Sequence, residues 1–264
     1  MAMVQARPDQ RMKRLERWWR VLATGFSFLV FGRGSLLFTL TVVPLSWLIS
    51  DELRSERFVK YMIHMCFRFF TRLMRTLGAL TVEISHAERL ARPGQLVIAN
   101  HPTLIDVVFL VSFMPRADCV VKSSLLRNPL LSLPVRAARY ITNDDPRSVI
   151  RAAGDSLARG NTLIVFPEGT RTTPGEPMEL QRGAANIAVR TGHNLRPVII
   201  DCAPPALGKN TPWYRVPERR MHMKFRVDEE MDTSPYREGK PSIMSRQLTA
   251  TIKDYFIRET AHHE

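Results

Sequence analysis

The chain has 264 residues, of which 45% are apolar. This length allows one large domain or two small ones with a sizeable core, so neither a metal nor a disulfide is required for stability. The three cysteines, Cys66, Cys119 and Cys202, are widely scattered and odd in number. They exclude a disulfide framework and a paired-cysteine zinc site, and they indicate a reducing compartment.

The chain is strongly basic, with 38 Lys and Arg against 25 Asp and Glu and a net charge of +13. Most of this excess lies in residues 1–80, which hold 13 basic and 5 acidic side chains and also contain the most apolar stretch. Basic charge beside apolar sequence predicts contact with an anionic membrane surface, where each Lys or Arg contributes roughly 1 kcal/mol. No nucleic-acid recognition signature accompanies the charge, so we expect no nucleic-acid partner.

The first predicted element is apolar and covers residues 21–50, after a basic lead over residues 1–20. A signal peptide is not expected, because the lead is long and no small-residue cleavage site follows the apolar run. One alternative is a single tilted span with Arg33 near its middle, at a cost of about 2.5–3.5 kcal/mol. The other is a turn at Gly32-Arg33-Gly34 between two short helices, each below the roughly 20 residues needed to cross. Pro44 and the basic residues on both flanks favour this hairpin, with both ends on the cytoplasmic side.

The next element, residues 59–80, interleaves apolar and basic side chains. This pattern predicts an interfacial amphipathic helix whose polar face carries Lys60, Arg68, Arg72 and Arg75. The alternative is an ordinary surface helix packed on the main domain. Together, residues 1–80 are predicted to be a hydrophobic, membrane-binding region that contains a two-helix motif.

From residue 81 to residue 264, short apolar runs alternate with helical patterns. The predicted strands are 80–84, 96–99, 119–121, 162–166, 197–200 and 221–227, and the predicted helices are 105–113, 146–158, 180–191 and 242–260. Such alternation predicts an α/β fold with a mostly parallel sheet flanked by helices. Because ligands in these folds bind beyond the carboxyl ends of strands, the loops that follow strands are the candidate sites.

The first of these loops contains His101 and Asp106. A turn at Pro102 would fold the imidazole back over the following helix, where Asp106 could accept a hydrogen bond from one ring nitrogen. A histidine oriented in this way acts as a general base near neutral pH. The alternative is structural, because Thr103-x-x-Asp106 also resembles a helix capping box.

Two further loops place cations after strands. The segment Pro167-Glu168-Gly169-Thr170-Arg171 combines a glycine for a tight turn with a guanidinium suited to phosphate. Glu168 either orders this loop or binds a substrate hydroxyl, and the alternative for Arg171 is a solvated surface residue. Lys122 follows the strand at 119–121.

Taken together, these motifs resemble the glycerolipid acyltransferase family, specifically its bacterial 1-acylglycerol-3-phosphate acyltransferases. The resemblance covers about residues 80–205 and rests on four blocks: Asn100-His101-x4-Asp106, residues 122–129, residues 166–171, and Arg196-Pro197-Val198-Ile199. It implies transfer of a fatty acyl group from acyl-CoA or acyl carrier protein to a lysolipid hydroxyl, at the cytoplasmic face of the inner membrane. It also implies that His101 is the base and Asp106 its partner.

For the acceptor phosphate, the resemblance points to Arg171, in a pocket shaped by Glu168, Gly169 and Thr170. One departure lies beyond residue 129, where the second block of family members usually ends in an aromatic residue, two further residues and an Arg. This chain has Tyr140-Ile141-Thr142-Asn143 there, with Asn143 in the place of the Arg. An amide cannot neutralise a phosphate, so Lys122 or Arg139 is expected to compensate, or the acceptor is a different lysolipid.

Direct transfer is the predicted mechanism, because the chain has no Gly-x-Ser-x-Gly elbow and no cysteine beside a histidine. No metal or cofactor is expected. Two other classes remain open: a thioesterase that uses water as the acceptor, and a non-catalytic membrane-binding protein. The oligomeric state does not follow from the sequence.

Overall fold

The computed structural model describes residues 10–128, 131–173 and 175–261. Its first element, α1, is one unbroken helix of 38 residues, Gln10–Trp47. The predicted turn at Gly32-Arg33-Gly34 is therefore wrong, and Pro44 also lies within the helix. Both glycines are in open space, with nothing within 4 Å of where a Cβ atom would be. A helical glycine costs only about 1 kcal/mol relative to alanine, which packing against a neighbouring helix readily offsets.

That neighbour is the second helix, α2 (Glu52–Thr76), which follows α1 after a connection of four residues, 48–51. The indole nitrogen of Trp19 donates to the carbonyl of Leu77 at 2.8 Å, and the hydroxyl of Ser55 donates to the carbonyl of Ser46 at 2.9 Å. The two helices therefore run antiparallel. The expected two-helix motif is present, but its second arm is the amphipathic segment and not the second half of the apolar run.

Helix α1 keeps a broad apolar face exposed. By length and composition, its stretch Arg14–Trp47 is long and apolar enough to cross a membrane, and only 17% of its most apolar window is buried in the protein. The large exposed apolar side chains of this helix are Met12, Leu15, Trp18, Trp19, Leu22, Phe26, Leu29, Leu36, Leu37, Leu40, Leu45 and Trp47.

Helix α2 buries one face against the rest of the chain through Val59, Ile63 and Phe70. The prediction that Lys60 lies on the polar face is wrong, because this side chain is 1% exposed. Its ammonium group donates to Glu56 at 2.5 Å and to Asp118 at 2.8 Å. The other three basic residues of the predicted polar face are exposed, namely Arg68, Arg72 and Arg75.

One seven-stranded sheet forms the centre of the protein. Its strands are β1 (Leu80–Ser85), β2 (Leu96–Ala99), β3 (Ala117–Val121), β4 (Ile141–Thr142), β5 (Thr162–Val165), β6 (Leu195–Ala203) and β7 (Met221–Val227). They are arranged in the order β1-β7-β6-β2-β5-β3-β4. All neighbours are parallel except β6 and β7. The predicted α/β fold with a mostly parallel sheet is confirmed.

Helices cover both faces of this sheet. The remaining ones are α3 (Asp106–Phe113), α4 (Ser132–Ala137), α5 (Pro146–Ala158), α6 (Gly183–Thr191) and α7 (Pro241–Ala261). Side chains on a strand alternate between faces. In β2, Val97 and Ala99 join a core with α1, α2 and α3, whereas Leu96 and Ile98 join a core with α5, α6 and α7. Residues 10–76 therefore pack directly on one face of the sheet.

Candidate active site

The candidate site lies where two neighbouring parallel strands end. Strand β2 ends at Ala99 and continues into the His101 loop, while β5 ends at Val165 and continues into the Glu168 loop. The two strands are paired, with Ile98 opposite Val165. The carboxyl edge of the sheet thus brings together two motifs that are more than 60 residues apart in the sequence, as expected for this class of fold.

His101 and Asp106 are in direct contact. The Nδ1 atom of the imidazole lies 2.9 Å from a carboxylate oxygen of Asp106, which is completely buried at the start of α3. The imidazole side chain is 19% exposed, and its Nε2 atom has no hydrogen-bond partner in the described part of the chain. The ring stacks on Phe166 with centroids 4.2 Å apart. One nitrogen is therefore oriented by a carboxylate and the other is available to a ligand.

Asp106 also has the structural role that the capping pattern predicted. It accepts hydrogen bonds from the backbone N–H of Thr103, at 2.7 Å, and from the Thr103 hydroxyl. Burial raises the pKa of Asp106 above its ordinary value, and the hydrogen bonds from His101 and Thr103 oppose this rise. The two interpretations of Asp106 are thus not exclusive, since the same carboxylate closes the turn and orients the imidazole.

Glu168 joins the two loops. Its Oε1 atom accepts from the backbone N–H of His101 at 3.0 Å and from the Thr172 hydroxyl at 2.8 Å. The backbone N–H of Thr172 in turn donates to the carbonyl of His101 at 2.8 Å. Burial raises the pKa of Glu168, while these hydrogen bonds lower it in part. Of the two predicted roles for Glu168, the contacts in the structure correspond to ordering of the loop.

The rest of this loop forms a turn. Gly169 has a φ of 65°, a left-handed conformation that favours glycine, and its N–H donates to the carbonyl of Phe166 at 3.0 Å. Thr170 is exposed. The guanidinium of Arg171 donates through Nη1 to the carbonyls of Leu207 and Gly208, at 3.2 and 2.8 Å.

The other two candidate cations are placed differently. Lys122 is exposed at the end of β3, the strand next to β5, and so at the same edge of the sheet as His101. Arg139 is engaged elsewhere, because its guanidinium donates at 2.7 Å to Glu52 at the start of α2. Asn143 follows β4 and accepts a hydrogen bond from the backbone N–H of Ser123 at 3.2 Å. The predicted motif over residues 122–129 reaches Pro129, which is outside the described residues.

Several contributors to the site were not assigned a role by the sequence. The amide of Asn100 makes two hydrogen bonds of 2.7 Å to the backbone of Ile200 and so fixes the His101 loop to β6. The carbonyl of Leu207 accepts from the N–H of Leu104 at 3.0 Å as well as from Arg171. Asn100 could have been found from the sequence, because it belongs to the motif Asn100-His101-x4-Asp106. The carbonyl of Leu207 could not, because every residue has a backbone carbonyl.

Together, the fold and the site define an α/β protein with a carboxylate-oriented histidine at the carboxyl edge of its parallel strands. Such a histidine can remove a proton from a hydroxyl group placed against its free nitrogen. Within the residues that the structure describes, no three His, Cys, Asp or Glu side chains are grouped so that they could hold a metal ion.

Comparison with known proteins finds a family whose model matches the part of the chain that holds the candidate site. Residues 81–201 match the acyltransferase family model. The match contains His101, Asp106 and the whole Glu168–Arg171 turn. It confirms the resemblance inferred from the motifs.

Curated relatives carry the same name across distant organisms. The chain is 22% identical to the 1-acyl-sn-glycerol-3-phosphate acyltransferase of Pseudomonas aeruginosa over 58% of this chain and 62% of the relative. It is 26% identical to the enzyme of Borreliella burgdorferi over 47% and 52% of the two chains. The yeast enzyme, from Saccharomyces cerevisiae, is 29% identical over 50% and 47%. The matched part thus spans about half of the length of these relatives.

A solved structure matches the fold over nearly the whole chain. This is the crystal structure of the 1-acyl-sn-glycerophosphate acyltransferase of Thermotoga maritima, with a TM-score of 0.66 and 22% sequence identity. The match covers 94% of this chain and 98% of that one. It therefore includes the two N-terminal helices as well as the sheet.

Proposed function

We propose that this protein transfers a fatty acyl group from a thioester donor, acyl-CoA or acyl carrier protein, to the hydroxyl of a lysophospholipid. The observation that carries the proposal is the contact of 2.9 Å between Nδ1 of His101 and Asp106, which leaves Nε2 free. The acceptor is 1-acyl-sn-glycerol-3-phosphate and the product is phosphatidic acid. The names of the curated relatives support this choice of acceptor.

In this mechanism, Nε2 of His101 removes the proton of the acceptor hydroxyl as its oxygen attacks the thioester carbonyl. A new ester bond forms, the carbon–sulfur bond breaks, and the imidazolium returns the proton to the departing thiolate. Asp106 keeps the Nδ1 proton in place and stabilises the imidazolium. The thioester and the alcohol thus become an ester and a thiol, with one proton passed through His101 and no change of oxidation state.

The acceptor phosphate requires cations near this histidine. Arg171 is adjacent to Thr172, whose N–H donates to the carbonyl of His101. One guanidinium nitrogen of Arg171 is held by the backbone carbonyls of Leu207 and Gly208, so the direction of this side chain is fixed. Lys122, exposed at the end of β3, is the second phosphate ligand that we propose. Arg139 is a weaker candidate because Glu52 already engages its guanidinium.

Membrane association follows from the two N-terminal helices. Lysolipids and their products partition into the bilayer, and α1 presents an exposed apolar face beside the α/β domain. We propose that α1 and α2 bind the cytoplasmic face of the inner membrane. The basic residues near the start of α1 and the end of α2 support this side, since positive charge is favoured on the cytoplasmic side.

The test is an assay of the purified protein with acyl-CoA and with acyl carrier protein as donors. The acceptors are lysophosphatidic acid, lysophosphatidylcholine, glycerol-3-phosphate and a phosphate-free lyso-aminolipid. We expect ester formation on lysophosphatidic acid, and loss of at least about a hundredfold in rate for His101→Ala. His193→Ala is the matched control, because His193 bonds Thr191 at the end of α6.

Two outcomes would contradict the proposal. Release of free fatty acid without any acylated acceptor would indicate a thioesterase. Equal activity of His101→Ala and the wild-type chain would mean that the imidazole has no part in the chemistry. Ester formation on the phosphate-free acceptor alone would keep the acyltransferase but change its substrate.

A further inference from the structure

A polar pocket lies away from His101, between the end of α2 and the first strand. Its volume is about 480 Å³, and its lining residues are Arg72, Arg75, Thr76, Leu80, Thr81 and Val82. Because β1 is an edge strand, the pocket opens at the side of the sheet. We propose that it binds the phosphate group of an anionic phospholipid.

Among the described residues, the guanidinium groups that line this pocket have no counter-ions. Arg72 and Arg75 are exposed, and neither guanidinium group makes an ion pair or hydrogen bond within the described residues. A third guanidinium, that of Arg220, lies against Gly78, where a Cβ atom would be 3.3 Å from its Nη2. The carboxylate of Glu83, on β1, lies beside His222 and not beside these arginines, with 3.5 Å between its Oε2 atom and Nε2 of the imidazole. A cluster of guanidinium groups without acidic partners is suited to phosphate, which they bind through charge-assisted hydrogen bonds.

The surroundings favour a lipid over free phosphate. On the exposed face of α2, an apolar stripe leads directly to Arg72, and it consists of Tyr61, Met65 and Phe69, which are 50%, 40% and 60% exposed. These residues are spaced four apart and so share one face of the helix. The stripe from Tyr61 to Phe69 is about 12 Å long, which accommodates much of an acyl chain. A ligand that is apolar along the stripe and anionic at the arginines is a phospholipid.

The position of the pocket in the sheet agrees with membrane contact. Thr81 of β1 lies opposite His222 of β7, which lies opposite Ala203 at the carboxyl end of β6. Strand β6 is parallel to β2, so the pocket opens at the same edge of the sheet as His101. Trp19 of α1 reaches this region as well, through its hydrogen bond to Leu77. The bound lipid would therefore hold the candidate active site toward the bilayer.

This inference rests on the membrane association proposed above, and its test uses vesicle binding alone. The full chain is mixed with vesicles of pure phosphatidylcholine, and with vesicles in which phosphatidylglycerol replaces about a third of it. We expect tighter binding to the anionic vesicles. Arg72→Ala/Arg75→Ala should weaken that binding roughly 30-fold, since each arginine near an anionic surface contributes a factor of about five.

The matched control is Arg147→Ala/Arg151→Ala, which removes the same charge from exposed positions on α5, on the opposite face of the sheet. It should change binding less than threefold. Phe69→Ser should also weaken binding to the anionic vesicles, and inorganic phosphate at constant ionic strength should not compete. Effective competition by phosphate, with no effect of Phe69→Ser, would overturn the assignment to a lipid.

Equal losses for the two arginine pairs would show that the pocket has no special role, and so would equal binding to both kinds of vesicle. Failure of the wild-type chain to bind either vesicle would overturn the membrane association itself. Acyl transfer to a detergent-dispersed acceptor is independent of all these outcomes, so the proposed reaction is judged separately.

Discussion

Trp213 packs so tightly against Gly25 that a Cβ atom at position 25 would lie 2.9 Å from its indole ring. Phe28, one helical turn further along α1, meets the same ring edge-on at 6.4 Å between centroids. Trp213 belongs to the segment 204–217, whose backbone carbonyls hold the guanidinium of Arg171. One stretch of chain thus connects the exposed apolar helix to the proposed acceptor site.

Gly25→Ala should therefore disturb acceptor binding from a distance. The added methyl group displaces the indole ring and with it the segment that holds Arg171. We expect the KM for lysophosphatidic acid to rise roughly tenfold, with the donor KM unchanged, because small misplacements of positioning groups are costly. Steady-state kinetics with each substrate varied in turn provide the measurement.

The helix itself offers the control for this experiment. Gly32→Ala adds the same methyl group to α1 at a position with nothing within 4 Å, so it should leave both KM values unchanged. Trp213→Phe has a smaller ring and should partly restore the acceptor KM when combined with Gly25→Ala. Identical kinetics of Gly25→Ala and Gly32→Ala would show that the contact does not reach Arg171.

Asp106→Asn tests the orientation of the imidazole. The amide oxygen can still accept from the N–H of Thr103, so the turn is retained. The negative charge beside Nδ1 is lost, and the imidazolium that forms during proton transfer is no longer stabilised. We expect kcat to fall by about a hundredfold to ten-thousandfold, with little change in the melting temperature.

Kinetics and thermal unfolding, measured on the same preparation of Asp106→Asn, distinguish the loss of imidazolium stabilisation from simple unfolding of the protein. A variant that melts as the wild type does and has lost activity supports the His101–Asp106 pair. A variant with kcat within threefold of the wild type would limit Asp106 to its structural bonds with Thr103.

The sequence predicted the elements with strong local signals. Strand β2 and helix α5 were predicted with their observed bounds, the latter because Asp145 caps the helix and Pro146 occupies its first position. In contrast, β4 was not predicted, because its two residues are too few to show the alternation of apolar and polar side chains that is typical of a strand. The continuity of α1 through Gly32 was missed because glycines suggest turns, and only the antiparallel packing of α2 makes the helix the better choice.

The same distinction applies to the candidate site. His101, Asp106 and Glu168 could be found because their side chains form motifs with fixed spacing. The contributions of Leu207 and Gly208 come from carbonyl oxygens, which every residue has, and they depend on a chain segment placed by Trp213. The burial of Lys60 was likewise invisible, since its partner Asp118 is 58 residues away.

That buried lysine gives a stability prediction. Lys60→Met removes the ammonium between Glu56 and Asp118. It leaves the buried Asp118 without its counter-ion and Glu56 with only the more distant guanidinium of Arg159, at 3.8 Å. Loss of one partner of a buried ion pair costs about 3–5 kcal/mol. We expect the free energy of unfolding, measured by denaturant titration in detergent, to fall by this amount.

Lys240→Met is the matched control for this measurement, because Lys240 is exposed just before α7. Its free energy of unfolding should be within about 0.5 kcal/mol of the wild type, as is usual for surface substitutions. A similarly small effect of Lys60→Met would show that the pair contributes no more than an apolar residue of the same size.

Glu168 gives a prediction about pH. Burial raises its pKa above the ordinary value of 4.5. A carboxyl group whose pKa is higher in the folded than in the unfolded state favours folding when it is protonated, and this contribution is lost as the pH rises through the folded pKa.

Glu168→Gln keeps an oxygen that can accept from His101 and Thr172 but carries no charge at any pH. The wild type should therefore lose stability relative to Glu168→Gln as the pH rises from 4.5 to 7.5. Melting temperatures of the two proteins across this range provide the measurement, and a difference that is constant, or that changes in the opposite direction, would contradict the raised pKa.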